Sequence, residues 1–201
     1  ALEVKVLTDG VCCVTADALS VQDASYIETY TAISTAFKRG DYETAAEEML
    51  RETYRGWDTL LTENKEIFSA YMSRSDITLN GDPTLENMPV DQRLERLKND
   101  SSAQDPSLIA LYWRFGKYML VASSAGLATL PANLQGVWSD GLESPWNADY
   151  HTNINLQMNY WHAEQANISD CTKPLFRYMN EDMVVIIKLP TESPKGIDVF
   201  W

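Results

Sequence analysis

A mainly α-helical fold, opened by a few β-strands, follows from three features of this 201-residue chain. Apolar and charged residues alternate near the start, and that period-2 pattern is confined to about the first 36 residues. From Asp41 onward apolar residues return at intervals of three and four, the spacing of one helical face. Strong helix-start signals then recur, above all Asp105-Pro106, a capping side chain followed by proline at the first helical position.

Taken in order, Leu2, Val4 and Val6 alternate with Glu3 and Lys5, and Asp9-Gly10 is a hairpin-turn signal. A second alternating run leads from Tyr26 to Ile33. Two or three strands make no stable sheet alone, so residues 1–36 read as the C-terminal strands of a larger β domain. Ala46, Met49, Leu50, Trp57, Leu60 and Leu61 then mark a helical face, and Gly56 leaves one helix and two helices equally compatible. Residues 76–104, with Gly81, Pro83 and Pro89, read as a long loop holding a short helix at 91–98. After Asp105, the residues Leu108, Leu111, Tyr112, Phe115, Met119 and Ala122 predict one apolar face of a long helix that Gly126 ends. Residues 127–155 read as irregular, helix resumes from Leu156 to about Ala166, and Ser169 or Asp170 caps another helix carrying Leu175, Phe176 and Met179. Alternation of helix and long loop is compatible with an α/α toroid and with an irregular bundle.

Composition narrows the function classes. The chain is 45% hydrophobic and 10% aromatic, as a globular protein is. Its net charge of −13 argues against nucleic acid or an anionic membrane as partner, because phosphate binding needs clustered Lys and Arg. The longest strongly apolar run, from Met183 to Ile187, is too short to span a bilayer. Cys12 and Cys13 are adjacent and Cys171 is distant, which suggests no disulfide framework. With only His151 and His162 available, no metal-ligand spacing arises, and neither metal nor cofactor is expected. Ala1 is not an initiator methionine and no secretory signal is read, so the chain is expected to be cut from something longer.

The densest chemistry lies in Leu130-Pro131-Ala132-Asn133-Leu134-Gln135-Gly136-Val137-Trp138, in Pro145-Trp146, and from Tyr150 through His151-Thr152-Asn153-Ile154-Asn155-Leu156-Gln157-Met158-Asn159-Tyr160 to Trp161. Flat aromatic faces beside amides and an imidazole suit a sugar cleft: a ring to stack on and groups for hydroxyls. The other reading is a loop packed beneath a helical domain, with Trp as core and Asn as turn chemistry.

That run resembles the catalytic-domain signature of glycoside hydrolase family 95, the inverting α-L-fucosidases. Met88-Pro89-Val90-Asp91-Gln92-Arg93-Leu94, Asp105-Pro106-Ser107-Leu108 and Ala122-Ser123-Ser124 are similar to the same family. The resemblance implies a partial (α/α)6 barrel preceded by a few β-strands and a helical linker. Residues 1–36 would end a β domain, residues 37–87 would be linker and loop, and residues 88–201 would hold the first barrel helices, with the tail 180–201 unmatched. The implied substrate is a fucosylated oligosaccharide with terminal α-1,2-linked L-fucose, or L-galactose in its place, and the implied setting is secreted or periplasmic in a bacterium.

By that resemblance Asn153 and Asn155 hold the attacking water with their amide oxygens. In an extended segment residues two apart point the same way, which would let both reach one water while Ile154 faces inward. Their other reading is local: Asn155 as a helix cap and Asn153 as a turn residue. His151 is read as a donor to a sugar hydroxyl or as a packed imidazole. Trp138 and Trp146 are read as stacking surfaces, Trp161 as core, and Asn133 with Gln135 as ties within the loop. His162 stands where relatives commonly carry proline, and Asn64 where histidine is expected. Asp149 and Glu164 flank the asparagines, yet in the resembling enzymes the general acid and base lie well over a hundred residues further on. The chain is therefore expected to lack them. Two competing readings are a catalytically incomplete carbohydrate-binding or scaffold fragment, and a phosphorylase. The latter needs a phosphate site, for which residues 130–160 offer no glycine-rich loop or basic cluster.

Overall fold

The computed structural model describes residues 1–36, 40–126 and 128–183. The expected apolar run beyond Met183 and most of the unmatched tail lie outside these residues. The chain is mainly α-helical and divides into two compact units, one ending at Glu66 and the other beginning at Ile67. No helix among the described residues is long and apolar enough to cross a membrane.

In the first unit, β1 (Leu2–Thr8), β2 (Val11–Val14), β3 (Leu19–Gln22) and β4 (Ile27–Ile33) form two antiparallel pairs, β1 with β4 and β2 with β3. The register runs from Leu2↔Ile33 to Thr8↔Ile27 and resumes at Val11↔Gln22. Asp9-Gly10 therefore interrupts nested hairpins and does not turn one strand onto its partner, contrary to the sequence expectation. The physical reason is local bonding. The Asp9 carboxylate accepts the Ser25 backbone N–H at 2.8 Å and the Ser25 hydroxyl, clamping the two connections together. A Cβ on Gly10 would lie 2.4 Å from the Gln22 carbonyl oxygen, so the glycine serves a close backbone approach.

Asp41 caps α1 (Tyr42–Thr53), accepting the Thr44 N–H at 3.2 Å. This helix packs on β1 and β4 through the buried Ala45 and Ala46, near the buried Ala32 of β4. Tyr54 beyond its end meets Tyr30 edge-on at 4.9 Å and receives the Lys5 ammonium 3.7 Å above its ring. Leu2, Val4, Ile27 and Ile33 share the opposite face of the ribbon and are exposed. Gly56, at φ +84°, separates α1 from α2 (Trp57–Met72), so two helices form where one was equally compatible.

In the second unit the expected loop at 76–104 holds two helices, α3 (Pro83–Glu86) and α4 (Val90–Asn99). The Asp82-Pro83 pair explains the extra turn, because the Asp82 carboxylate accepts the Thr84 N–H at 2.9 Å. Asp105 begins α5 (Pro106–Ser124) as expected, accepting the Leu108 N–H at 3.0 Å. Its buried carboxylate also takes a forked pair of bonds from Arg93, at 2.8 and 2.6 Å. Arg93 donates further to the Ser107 hydroxyl at 2.7 Å, so the start of α5 is locked to α4.

The apolar spacing predicts the buried face of α5 only in part: Leu108 is buried and Met119 half-buried, as it implies. Leu111, Tyr112, Phe115 and Ala122 are exposed, while Ala110, Lys117, Leu120, Val121, Ser123 and Ser124 are buried. Lys117 is accommodated because its ammonium donates to the Met72 carbonyl at 3.1 Å, the Ser75 carbonyl at 2.9 Å and the Ser75 hydroxyl at 2.9 Å. Met72 ends α2, where the helix dipole favours a cation.

Helix α6 (Asn155–Tyr160) is shorter than the span expected to reach Ala166; turns follow it to Asn167. A 3-10 turn at Ser169–Thr172 then leads into α7 (Lys173–Tyr178). The core joins Leu120 and Val121 of α5, Ala132, Leu156 and Tyr160 of α6, and Ala163, Ala166, Ile168 and Cys171. Phe68, Tyr71 and Leu175 pack on its margin.

Candidate functional site

The residues singled out in the sequence fall into two places. His151, Asn153 and Asn155 occupy one turn that leads into α6. Thr152, Asn153 and Ile154 form a turn, not the expected extended segment, and Asn155 is the first residue of the helix. The chain turns because the Leu156 N–H reaches back to the His151 carbonyl at 3.1 Å, and the Met158 N–H to the Ile154 carbonyl at 2.9 Å. Gln157 tightens it from within α6, its side-chain amide donating to the Thr152 carbonyl at 2.5 Å. The other end of that side chain, Oε1, is buried without a hydrogen-bond partner among the described residues.

Asn153 is exposed and Asn155 half-buried, and neither amide makes a hydrogen bond among the described residues. The helix cap falls at Ile154 with no side-chain capping bond, so Asn155 is not the cap of α6. Ile154 is 41% exposed and does not face inward as expected. His151 is half-buried. Trp146 stands well out, 72% exposed, on a tight turn at Pro145–Ala148. Trp146, Asn147 and Ala148 all adopt left-handed backbone there, with φ of +49°, +55° and +52°. Residues other than Gly and Asn resist that region, so this turn is held under strain.

The second place is a cleft of about 400 Å³ between α5, α6 and the loop before residue 139. Of the predicted site residues only Trp138 lines it; the cleft also takes in Gln135, Met158, Asn159 and His162. Within α6, Asn155, Met158 and Asn159 lie at spacings of three and four, so Asn155 heads the same helical face. That spacing is the signal by which Asn159 could be picked out of the sequence.

The cleft wall is firmly built. Asn133 knits the loop as expected: its side-chain oxygen accepts the Gln135 N–H at 2.8 Å, and its carbonyl accepts the Asn159 amide at 3.0 Å. Gly136, at φ +71°, lies under the Trp138 indole, and a Cβ there would come within 2.8 Å of ring atoms Cε3 and Cζ3. Behind the wall the Tyr160 hydroxyl accepts the Ala132 N–H at 2.8 Å. His162 Nε2 lies 3.3 Å from the Gly116 carbonyl oxygen. A carbonyl only accepts, so Nε2 carries the proton and Nδ1 remains an acceptor. Burial lowers the His162 pKa below its ordinary 6.5, which keeps the ring uncharged at neutral pH. Gln135 keeps its whole carboxamide free of hydrogen bonds among the described residues. Among the described residues His162 is the one titratable side chain that lines the cleft; no Asp, Glu, Lys or Arg does.

Trp161, expected in the core, is 59% exposed; the inward side of α6 is taken by Leu156 and Tyr160. Asp149 and Glu164 are both exposed. A larger groove of about 900 Å³ runs between α4 and α5, walled by Val90, Leu94, Leu97, Ile109, Tyr112 and Phe115, and its apolar lining offers little for polar chemistry. No group of three or more His, Cys, Asp or Glu side chains suited to a metal occurs among the described residues.

Comparison with known proteins adds the family. The model of the glycosyl hydrolase family 95 catalytic domain matches residues 56–189, which include α2 to α7 and both places described above. Alpha-L-fucosidase 2 of Arabidopsis thaliana is 40% identical over 114 residues, 56% of this chain and 13% of that protein. Probable alpha-fucosidase A of Aspergillus niger is 41% identical over 87 residues, 43% of this chain and 11% of that protein. The protein of the same description from Aspergillus oryzae is 34% identical over 123 residues, 61% of this chain and 17% of that protein. The chain thus matches only a small part of each relative's length.

Proposed function

The chain belongs to glycosyl hydrolase family 95, and on that premise we propose that it is a segment of an inverting α-L-fucosidase acting on terminal α-1,2-linked L-fucose. In this reading residues 1–36 are the last strands of a β domain, residues 37–87 are linker, and the helices from residue 88 onward open an (α/α)6 barrel. The observation that carries the reading is the pair of amides, Asn153 and Asn155, which make no hydrogen bond among the described residues, on the turn that heads α6 inside the matched stretch.

An inverting glycosidase attacks the anomeric carbon with water while an acid protonates the leaving oxygen and a base removes the water's proton. The side-chain oxygens of Asn153 and Asn155 would share one O–H of the water, leaving the other for the base, and so aim its lone pair at that carbon. A neutral amide orients a water but takes no proton from it, so the base must be a carboxylate. The acid and base carboxyl groups of an inverting enzyme stand roughly 6.5–9.5 Å apart, leaving room for that water. Asp149 and Glu164 are not assigned to either role. His151, on the same turn, would donate to a fucose hydroxyl, and Trp146 and Trp138 would offer flat faces to sugar rings. The other reading, a carbohydrate-binding fragment without its own acid and base, is favoured by the absence of any carboxylate from the cleft lining.

Turnover of 2′-fucosyllactose tests the proposal. In this reading the 201-residue chain releases no fucose, because none of its carboxylates is assigned as acid or base. Robust hydrolysis would mean a complete site within it. In a longer, active form, Asn153→Gly and Asn155→Gly should each lower kcat by roughly 10²-fold or more with affinity nearly unchanged, and the first anomer released should be β-L-fucose. Wild-type rates in both variants would refute the water-positioning role.

A further inference from the structure

We propose that Asn80 is a site of spontaneous covalent modification, at which the side-chain amide closes onto the Gly81 nitrogen, loses ammonia and, with water as co-reactant, becomes aspartate or isoaspartate.

The reaction needs an unhindered backbone nitrogen after the asparagine, a free carboxamide, and a backbone loose enough to bring the two together. Asn80-Gly81 is the only Asn-Gly pair in the sequence, and glycine has no Cβ to shield its nitrogen. Both residues are exposed, in the irregular segment 75–82 that leads to α3. Neither the Asn80 carboxamide nor the Gly81 N–H makes a hydrogen bond among the described residues.

Comparable positions elsewhere are protected. Asn64 lies inside α2, where the next N–H belongs to the helical ladder. Asn167 gives its amide to the Arg74 carbonyl at 3.3 Å and is followed by the buried Ile168. At Asp9-Gly10, which could close the same ring, Ser25 holds the carboxylate and the Gly10 N–H donates to the Thr8 hydroxyl at 3.1 Å. Asp140-Gly141 is exposed, but there the ring would have to close on a carboxylate, a poorer electrophile than an amide.

A solvent base takes the Gly81 N–H proton, and the nitrogen bonds to Asn80 Cγ while the Cγ–Nδ2 bond breaks. Nδ2 takes up a proton from solvent and leaves as ammonia, giving a five-membered imide. Water then opens that ring. Attack at Cγ restores the ordinary backbone as aspartate; attack at the backbone carbon routes the chain through the side chain, one methylene longer. That extra carbon has little room, because a Cβ on Gly81 would already lie 3.3 Å from the Ser107 nitrogen. Ser107 belongs to the start of α5, where Arg93 binds both its hydroxyl and Asp105. Either product also adds a negative charge two residues before the Asp82 cap of α3.

The 201-residue chain, held for days in mildly alkaline buffer at physiological temperature, native or in denaturant, is followed by peptide mapping with mass spectrometry. The Asn80 peptide should gain the mass that separates an acid from an amide and split into two isomers, at nearly the same rate in both states. Gly81→Ala should slow the change at least about tenfold. Asn80→Gln should remove it, and circular dichroism shows whether each variant is folded. A native rate about tenfold or more below the denatured one would overturn the proposal, because the fold would then shield the pair. So would faster conversion of another asparagine in the native chain, or an undiminished rate in folded Gly81→Ala. The comparison of native with denatured chain decides the matter even where a variant fails to fold.

Discussion

The hydroxyl of Tyr160 lies 2.9 Å from the hydroxyl of Ser124, joining α6 to the end of α5 inside the core. The same phenol oxygen accepts the Ala132 N–H at 2.8 Å, so one buried atom fixes two helices and the start of the cleft loop. Tyr160→Phe keeps the ring but strands the Ala132 N–H and leaves the Ser124 hydroxyl only the Ser123 hydroxyl, 3.2 Å away. Urea unfolding should show a loss of about 1–3 kcal/mol, the cost of leaving buried polar groups unmade. An unchanged midpoint would mean that the loop is anchored elsewhere.

Asp105 gives a pH signature. Its hydrogen bonds from Arg93 hold the carboxyl down, against the opposing effect of burial, from 3.8 to about 2. A carboxylate with a lowered folded-state pKa stabilises the fold above its unfolded pKa and loses that contribution on acidification. Stability should therefore fall as pH drops from about 4 toward about 2. Asp105→Ala should flatten the profile in that window and cost about 0.5–2 kcal/mol at neutral pH through the lost helix cap alone. Parallel acid-unfolding curves for the two proteins would contradict the assignment.

His162 acts at milder pH. Burial lowers its folded pKa below 6.5, so the unfolded chain takes up a proton first as the solution is acidified. Stability from this group is complete above pH 6.5 and declines as pH falls through its folded value. His162→Gln, which removes the titration, should show a smaller drop in Tm between neutral pH and pH 5.5 or so than the parent. An equal drop would place the sensitivity elsewhere.

The thiols should divide by accessibility. Cys12 and Cys13 are exposed, whereas Cys171 is buried with its pKa pushed up to about 11 by desolvation. A thiol-specific chromogenic reagent should titrate Cys12 and Cys13 in native protein and reach Cys171 only after denaturant is added. Prompt reaction of Cys171 in the native state would mean that its part of the core opens readily.

How far the fold could be read from sequence depended on whether the cause was local. The capped start at Asp105-Pro106 is local chemistry and was legible, whereas Gly56 left one helix and two equally compatible. Asp9-Gly10 was misread, because a dipeptide suited to a turn also suits a close strand crossing, and only its cross-chain bonds with Ser25 decide between them. The misplaced part of the α5 face has a similar origin. Spacing identifies an apolar stripe, but not that Lys117 has carbonyls waiting for it at the end of α2. At the candidate site, Asn133 was legible as a loop tie, while Asn159 and His162 were not counted as cleft residues. Their role depends on a wall contributed by α5 and Gly136, far away in sequence. The turn at Asn153 was likewise hidden, since the Gln157 side chain that tightens it lies on the following helix.

The groove between α4 and α5 has a practical consequence for handling this chain. Its walls have the makeup of an interior, yet they are open to solvent. A polypeptide with such an oily stripe is retained by hydrophobic chromatography resins and lights up solvatochromic dyes while still native. High salt, which raises the penalty for wetting hydrocarbon, drives such molecules together. Dilute, low-salt buffers are therefore the conditions in which this segment stays dispersed.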